Sequence, residues 1–185
     1  LGDVYKRQEQ ARVRMLARHP KQVIEPPYST RSHTLRLYPC ACRRIRTRVG
    51  EGIIEVRYPM ELRYEAAEVQ DAIRKGIEQA WRTEAQADLP QRTARLAGQL
   101  GFRCGAVTVR NARTRWGSCS ARDDISLSIH LMKLPDELID YVIIHELCHT
   151  IHKNHGPKFH KLLDRLTGGH HLELRRRLKT YSTRW

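Results

Sequence analysis

Residues 143–149 read Ile143-Ile144-His145-Glu146-Leu147-Cys148-His149 and contain an H-E-x-x-H motif. On a helix, His145 and His149 lie one turn apart and point to the same side. Two neutral imidazoles at this spacing can bind one Zn²⁺ ion. Glu146 is rotated by only about 100° from His145, so its carboxylate can reach a water in an open metal position. The motif therefore predicts a zinc site with a carboxylate beside it.

A third histidine follows the motif at a distance that suits a third ligand. Asn154 precedes His155, and asparagine tolerates the left-handed conformation that ends many helices. We therefore expect the helix to stop at Asn154, so that His155 can turn back to the metal. His152 and His160 are the alternatives, and the predicted break favours His155 over both.

The helix that carries the motif is predicted to begin at Pro135, since proline suits the first helical position. Asp136 and Glu137 follow in the first turn, where the helix dipole favours acidic side chains. The apolar residues at helical spacing predict the buried side, namely Leu138, Ile139, Val142, Ile143 and Leu147. Such an anchored helix is a suitable platform for metal ligands.

Strands and a turn are predicted immediately before this helix. Residues 103–110 have β character, and in the strand Ile125–Ile129 every second residue is apolar. Residues 121–124 read Ala-Arg-Asp-Asp, which is typical of a turn. We therefore expect a β-hairpin between residues 111 and 129. Further helices are predicted at residues 157–166 and 171–179.

The N-terminal third predicts a small basic sheet. Alternating residues at 34–38, 44–49 and 53–58 predict three antiparallel strands with arginine on one face, within a β subdomain of residues 28–62. This face could lie against nucleic acid, or it could simply be solvated. Residues 65–87 predict a long helix that ends at Leu89-Pro90, and a second helix follows at 91–100. Residues 1–27 are expected to be peripheral or disordered, and 1–8 resemble a non-native remnant.

The composition indicates the class of partner and the compartment. The net charge is +14, and residues 1–64 carry 14 basic and 6 acidic side chains, while residues 151–185 carry 9 and 2. This imbalance favours an anionic partner such as nucleic acid or an acidic peptide, unless it serves only solubility. Five cysteines indicate a reducing, cytoplasmic location. The Cys40-Ala41-Cys42 pair lacks a second pair at zinc-ribbon spacing. No stretch is apolar enough for a membrane span, so no membrane partner is expected.

Three motifs together resemble one known family. They are Arg115-Trp116-Gly117-Ser118-Cys119-Ser120, the helix segment Ile139–His149, and Asn154-His155-Gly156. This tripartite pattern is similar to that of the YgjP-like metallopeptidases, which are grouped with the zincin-like proteases. The resemblance implies an α+β fold in which residues 28–182 form the domain and 65–182 a minimal zincin-like core beside the small N-terminal antiparallel β-sheet. The family often has tryptophan after the phenylalanine that here is Phe159, whereas this chain has His160.

The resemblance also implies roles for individual residues. His145, His149 and His155 would bind Zn²⁺, and Glu146 would be the catalytic residue. The wall of the substrate cleft would be formed by Arg115, Trp116, Gly117, Ser118 and Cys119. The strand Ile125–Ile129 would pair with a bound peptide by β-augmentation.

These features predict a zinc metallopeptidase that hydrolyses peptides or unfolded proteins, with Glu146 as general base. The candidates for an additional oxyanion donor are Arg113, Arg115, His170, His171 and Tyr181. One alternative is a DNA-associated protease of the SprT-like or WLM kind, to which the basic ends would supply phosphate contacts. Another is a non-catalytic, zinc-stabilised binding domain. Glu146 argues against this last option, because structural zinc sites usually have a fourth protein ligand.

Overall fold

A single long helix, α1 (Ala67–Leu100), connects two small β-sheets. The computed structural model describes residues 22–184, and the predictions for residues 1–21 lie outside this range. Helix α1 packs on the first sheet and also contacts the second sheet and the helix that carries the H-E-x-x-H motif. The predicted α+β class is confirmed by this arrangement.

The first sheet contains β1 (Thr34–Cys40), β2 (Arg46–Gly50) and β3 (Ile53–Pro59) in the order β1-β3-β2. Strands β2 and β3 are antiparallel, but β1 runs parallel to β3, so the prediction of a fully antiparallel sheet is wrong. The segment 41–45 reverses the chain and carries it across the sheet, which places β3 between the other two strands. Alternating side chains indicate which face is buried, but they do not determine which strands are neighbours.

A glycine allows α1 to approach this sheet closely. A Cβ atom added to Gly76 would lie 2.7 Å from Ile54 Cγ2 and 2.9 Å from Thr47 Cγ2. Ile54 and other apolar side chains of the inner face are buried against the helix, while the opposite face of the sheet is exposed. Helix α1 therefore covers only the inner face of the sheet, and the face that carries the arginines is not in contact with it.

Helix α1 continues through Pro90, so the prediction of two separate helices is wrong. Proline removes the amide that would bond to the Gln86 carbonyl, but Gln86 is exposed, and water can replace that bond. Leu89 and Thr93 are fully buried on either side of the proline. Packing of this face outweighs the helix-breaking tendency of Pro90. The helix ends at Gly101, as predicted, with the left-handed φ of 73° that favours glycine.

The second sheet contains β4 (Val107–Arg110), β5 (Gly117–Cys119) and β6 (Ile125–Ser128) in the order β4-β6-β5. The antiparallel pairing of β5 with β6 confirms the predicted hairpin. Strand β6 is also paired with β4, in parallel, so both of its edges are occupied. The expectation that Ile125–Ile129 pairs with a peptide is therefore wrong. The unpaired edges of this sheet belong to β4 and β5, and β5 is the strand that lies against Glu146.

Three helices complete the fold after a short 3-10 helix at Ile129–Lys133. They are α2 (Asp136–Cys148), α3 (Pro157–Leu166) and α4 (His171–Leu178). Helix α2 ends at Cys148 and not at Asn154, and no positive φ is found at Asn154. The Thr150 hydroxyl donates a hydrogen bond to the Leu147 carbonyl at 2.8 Å, which satisfies one free acceptor at the helix end.

Two features near the first sheet add to the predictions. Ile24 is buried on α1, and its backbone N–H and carbonyl both bond to the Gln70 side chain, so the ordered chain begins before residue 28. The domain boundary at residue 28 stays a prediction. Cys40 and Cys42 form a disulfide, which the sequence did not predict.

In the described part of the chain, no helix combines the length and the apolar character that a bilayer crossing requires.

Candidate metal centre

The structure brings His145, His149 and His155 together at the end of α2. His145 lies in the last turn of the helix, His149 caps it, and the following turn returns the chain so that His155 faces both. The Nε2 atom of His155 lies 3.1 Å from Nε2 of His145 and 3.1 Å from Nε2 of His149. Nitrogens that bind one zinc ion tetrahedrally at 2.0–2.1 Å lie roughly 3.3 Å apart. The three donors therefore fit a zinc ion.

A contact with the backbone of the following turn fixes the orientation of the His149 ring. Its Nδ1 atom lies 3.0 Å from the backbone carbonyl oxygen of His152, so Nδ1 carries the proton and donates to that oxygen. The Nε2 lone pair is then free to bind a metal, because the proton and its hydrogen bond are on the other ring nitrogen. His152 thus contributes its backbone to the centre. Its side chain was one of the alternatives for the third ligand.

Phe159 is the common packing partner of the three histidines. Its ring centroid lies 4.9 Å from that of His145, 4.5 Å from that of His149 and 4.8 Å from that of His155. Phe159 is fully buried and lies in the first turn of α3. This supporting role of Phe159 was not predicted from the sequence. A possible signal was the spacing of four residues between His155 and Phe159.

Glu146 is buried directly beside the histidines and against strand β5. A Cβ atom added to Gly117 would lie 2.8 Å from both Cγ and Oε1 of Glu146, so only glycine fits at that position without displacement. Burial raises the pKa of Glu146 to about 7, and the nearby charge of Arg115 opposes this shift. The carboxyl group is therefore suited to exchange a proton near neutral pH.

Burial also favours the neutral forms of His145 and His155. It lowers the pKa of His145 to about 3, with further lowering by the neighbouring His149 and His155. Burial is likewise the largest cause of the lowered pKa of His155. A neutral imidazole is the form that binds a metal.

The predicted cleft residues lie on two sides of β5. Gly117 is in contact range of Glu146, and the Cys119 thiol is close enough for Glu146 to raise its pKa, although burial is the larger cause. An open groove of about 470 Å³ on the second sheet is lined by Trp116 and Ser118, and also by Gly117 and Cys119. Arg115 also borders this groove. All five residues predicted for the cleft wall thus border one groove, while the alternation of a β-strand directs the Ser118 side chain to the opposite face from that of Cys119.

The candidate oxyanion donors are widely separated. Arg113 pairs with Glu78 at 2.8 Å, and His170 lies 3.6 Å from the Glu173 carboxylate. Tyr181 is exposed near the end of the described chain. Arg115 remains close enough to affect the pKa of Glu146.

His171, the remaining candidate, belongs to a buried cluster beside His145 and His155. Its Nδ1 atom lies 3.1 Å from the Tyr141 hydroxyl, and its Nε2 atom lies 3.3 Å from Nδ1 of His160. The Tyr141 ring lies 6.4 Å from that of His145, and the His160 ring lies 6.4 Å from that of His155. Tyr141, which lies one helical turn before His145, was not predicted from the sequence to belong to this site.

Two crystal structures of metallopeptidase zymogens share part of this fold. The zymogen of Methanocaldococcus jannaschii jannalysin is 21% identical with a TM-score of 0.45, and the match covers 50% of this chain and 95% of that chain. The zymogen of Pyrococcus abyssi abylysin is 23% identical with a TM-score of 0.44, covering 50% and 92%. Both TM-scores are below 0.5, so nothing further follows from these likenesses.

No curated protein matches the chain. The family model of the YgjP-like metallopeptidase domain, in contrast, matches residues 4–181, almost the whole sequence. The match includes the histidine cluster, Glu146, strand β5 and helices α1 to α4. The chain belongs to the YgjP-like metallopeptidase family.

Proposed function

We propose that this protein is a zinc-dependent metallopeptidase in which Glu146 is the general base. The observation that carries the proposal is the convergence of His145, His149 and His155 beside the buried Glu146 carboxylate. The donor set is three neutral imidazoles, which leaves a fourth position for water or substrate. A zinc ion bound there would polarise the scissile carbonyl and make a coordinated water more acidic.

The protein's own residues would move the proton and hold the base in place. The Glu146 carboxylate accepts a proton from the attacking water and then delivers it to the nitrogen of the leaving amine. Gly117 leaves the space in which this carboxylate lies, and Phe159 supports the three imidazole rings from the opposite side. The close packing around these groups limits their motion, which favours a fixed geometry for the reaction.

We propose that an extended peptide or unfolded segment binds along the free edge of β5. The backbones of Trp116 and Ser120 bond inward, to Ser128 and Asp124 of the hairpin partner. Since bonding direction alternates along an antiparallel strand, the N–H and C=O groups of Gly117 and Cys119 point away from β6. These groups can bind a peptide by β-augmentation. The Cα of Gly117 and the thiol of Cys119 lie on the Glu146 side of the strand.

The decisive experiment replaces the proposed base while preserving its shape. Glu146→Gln should lower the cleavage rate of a labelled unfolded protein by roughly 10²–10⁴-fold, the usual contribution of a general base. Zinc content should stay near that of the wild type, because Glu146 is not one of the proposed ligands. Elemental analysis and single-turnover rates would measure both quantities.

Glu137→Gln is the matched control, because Glu137 is an exposed carboxylate on the same helix, α2. It should cleave at the wild-type rate. Wild-type activity in the Glu146 variant would refute the mechanism. A folded, zinc-loaded wild-type protein that hydrolyses no unfolded protein would instead favour a non-catalytic, zinc-stabilised domain.

A DNA-associated protease of the SprT-like or WLM kind is the second candidate function. The observation that favours it is the exposed, arginine-rich face of the first sheet. We also propose a cytoplasmic location, which the free thiols of Cys104, Cys119 and Cys148 support and the Cys40–Cys42 disulfide opposes. Fractionation of the native cells would decide between a reducing and an oxidising compartment.

A further inference from the structure

The outward face of the first sheet carries two cross-strand rows of polar side chains. In one row, Arg36 of β1, Glu55 of β3 and Arg48 of β2 are direct partners. In the next row, Tyr38, Arg57 and Arg46 are partners in the same order. We call this surface the arginine face. The residues on the other side of the strands pack toward α1, so these two rows are directed into solvent.

The positive charge of this surface is almost uncompensated. Residues 34–59 contain six arginines and two acidic residues, and all six arginines are exposed. Among residues 22–184, only Arg57 of these six forms an ion pair, with Glu55 at 2.8 Å. The charges therefore remain available to an anionic partner.

The arrangement is also unfavourable for the isolated sheet. Arg46 and Arg57 are directly opposite each other on antiparallel strands, and like charges in such pairs are destabilising. A surface that served only solubility would be expected to mix both charge signs. A polyanion lying across the rows would remove this repulsion.

An exposed aromatic side chain distinguishes the class of polyanion. Tyr38 is 40% exposed and lies in the same row as Arg57 and Arg46. Proteins that bind single strands combine basic side chains along the backbone with aromatic rings on which unpaired bases stack. A base can stack on Tyr38 only if it is unpaired, which favours a single strand over a duplex.

We infer that the arginine face binds single-stranded nucleic acid, with Arg46, Arg48 and Arg36 on the phosphates and a base stacked on Tyr38. This surface lies outside the metal centre, and the inference does not depend on peptidase activity. Nucleic acid bound to this face, and any protein bound to that nucleic acid, would then be held on the molecule that carries the candidate metal centre.

The test measures binding of the full zinc-loaded chain to a labelled oligonucleotide of about 15 nucleotides, the upper range for one small binding fold. The double variant Arg46→Ala/Arg48→Ala should weaken binding roughly tenfold or more near physiological salt. The slope of log affinity against log salt should decrease by about 1.4, which is 0.7 for each lost phosphate contact. The matched control is Arg82→Ala/Arg95→Ala, which removes the same charge from exposed positions of α1.

The variant Tyr38→Ala distinguishes base stacking on the ring from electrostatic attraction to the phosphates. It should weaken single-strand binding roughly tenfold and leave the binding of heparin unchanged. Equal losses in the two double variants would overturn the inference, because binding would then reflect diffuse charge. Tighter binding of anionic lipid vesicles or of an acidic peptide than of the oligonucleotide would also overturn it. Thermal melting of each variant shows whether it is folded. Each variant should also cleave peptide at the wild-type rate, so that a loss of nucleic-acid binding is distinguished from a loss of the proposed peptidase activity.

Discussion

Gly117 is the residue whose replacement tests the geometry around the base most directly. The added methyl group of Gly117→Ala would lie 2.8 Å from Glu146, closer than real Cβ contacts, so the carboxylate must turn away. We expect kcat/KM to fall roughly 10–100-fold, the scale of a misplacement near 1 Å. Zinc content should be unchanged. Steady-state kinetics together with elemental analysis would measure both effects.

Gly50→Ala is the control for this substitution, since Gly50 is another strand glycine and an added Cβ there meets nothing within 4 Å. It should keep the wild-type kcat/KM. If Gly117→Ala were equally active, Glu146 could not depend on the space that this glycine leaves.

His130 allows a prediction of pH dependence away from the proposed metal ligands. It is fully buried, and its Nε2 atom bonds to Asn111 Oδ1 at 2.9 Å. Burial lowers its pKa to about 4, with Lys133 and Arg113 lowering it and Glu78 raising it. Below about pH 6.5 the unfolded chain binds a proton that the folded protein excludes until about pH 4. Stability is therefore lost as the pH falls through this interval.

The loss attributable to His130 should amount to about 3 kcal/mol between pH 7 and pH 4. Denaturant unfolding of wild type and His130→Gln at several pH values would measure the difference, in which the contributions of all other histidines cancel. His170→Gln, at an exposed histidine, should follow the wild type. Parallel pH profiles for wild type and His130→Gln would show that His130 is not held neutral.

The convergence of the three histidines could be predicted from the sequence, because helical spacing fixes His145 and His149 on one side. His155 lies in the cluster with His145 and His149, but the predicted helix end at Asn154 is not the cause, because the helix ends at Cys148. Phe159 and Gly117 could not be assigned in this way. Their roles depend on contacts between distant segments, which no local pattern encodes.

At the scale of elements, local patterns predicted what each segment is better than what lies beside it. The hairpin of β5 and β6 followed from the turn between them. The parallel pairings of β1 with β3 and of β4 with β6 could not be predicted in this way, because the alternation of a strand is the same whichever strand pairs with it. Pro90 indicated a break from local preference alone, whereas burial of the surrounding face keeps α1 continuous.

The free edge of β5 leads to a prediction about substrate binding. Proline is tolerated in an edge strand where the amide points to solvent, which is the orientation deduced for Cys119. Cys119→Pro should therefore fold and bind zinc, but it lacks one donor for a peptide strand. We expect KM for an extended peptide to rise roughly 3–10-fold, corresponding to one lost hydrogen bond. Ser118→Pro is the contrasting variant, since its amide points inward to β6 and its loss should lower the melting temperature. Unchanged KM in folded Cys119→Pro would exclude pairing at this edge.

At the scale of the whole molecule, the metal would join α2, the turn after it and α3. His145 and His149 belong to the end of α2, His155 to the turn, and Phe159 links all three rings to α3. A ligand present at about 1,000 times its dissociation constant stabilises the folded state by about 4 kcal/mol. Chelation of zinc should therefore lower Tm by about 10 °C for a chain of this size.

The loss of stability should be local in its first stage. Without a cation, the converging Nε2 lone pairs repel one another, so residues 149–163 should exchange amide hydrogens faster after chelation. The first sheet is anchored separately on α1 through Gly76 and Ile54, and its exchange should not change. His155→Ala removes the exposed ligand, and its Tm should respond little to the chelator. Uniform acceleration across both regions would mean that the metal supports the entire fold, as in a structural zinc domain, and would count against an open catalytic site.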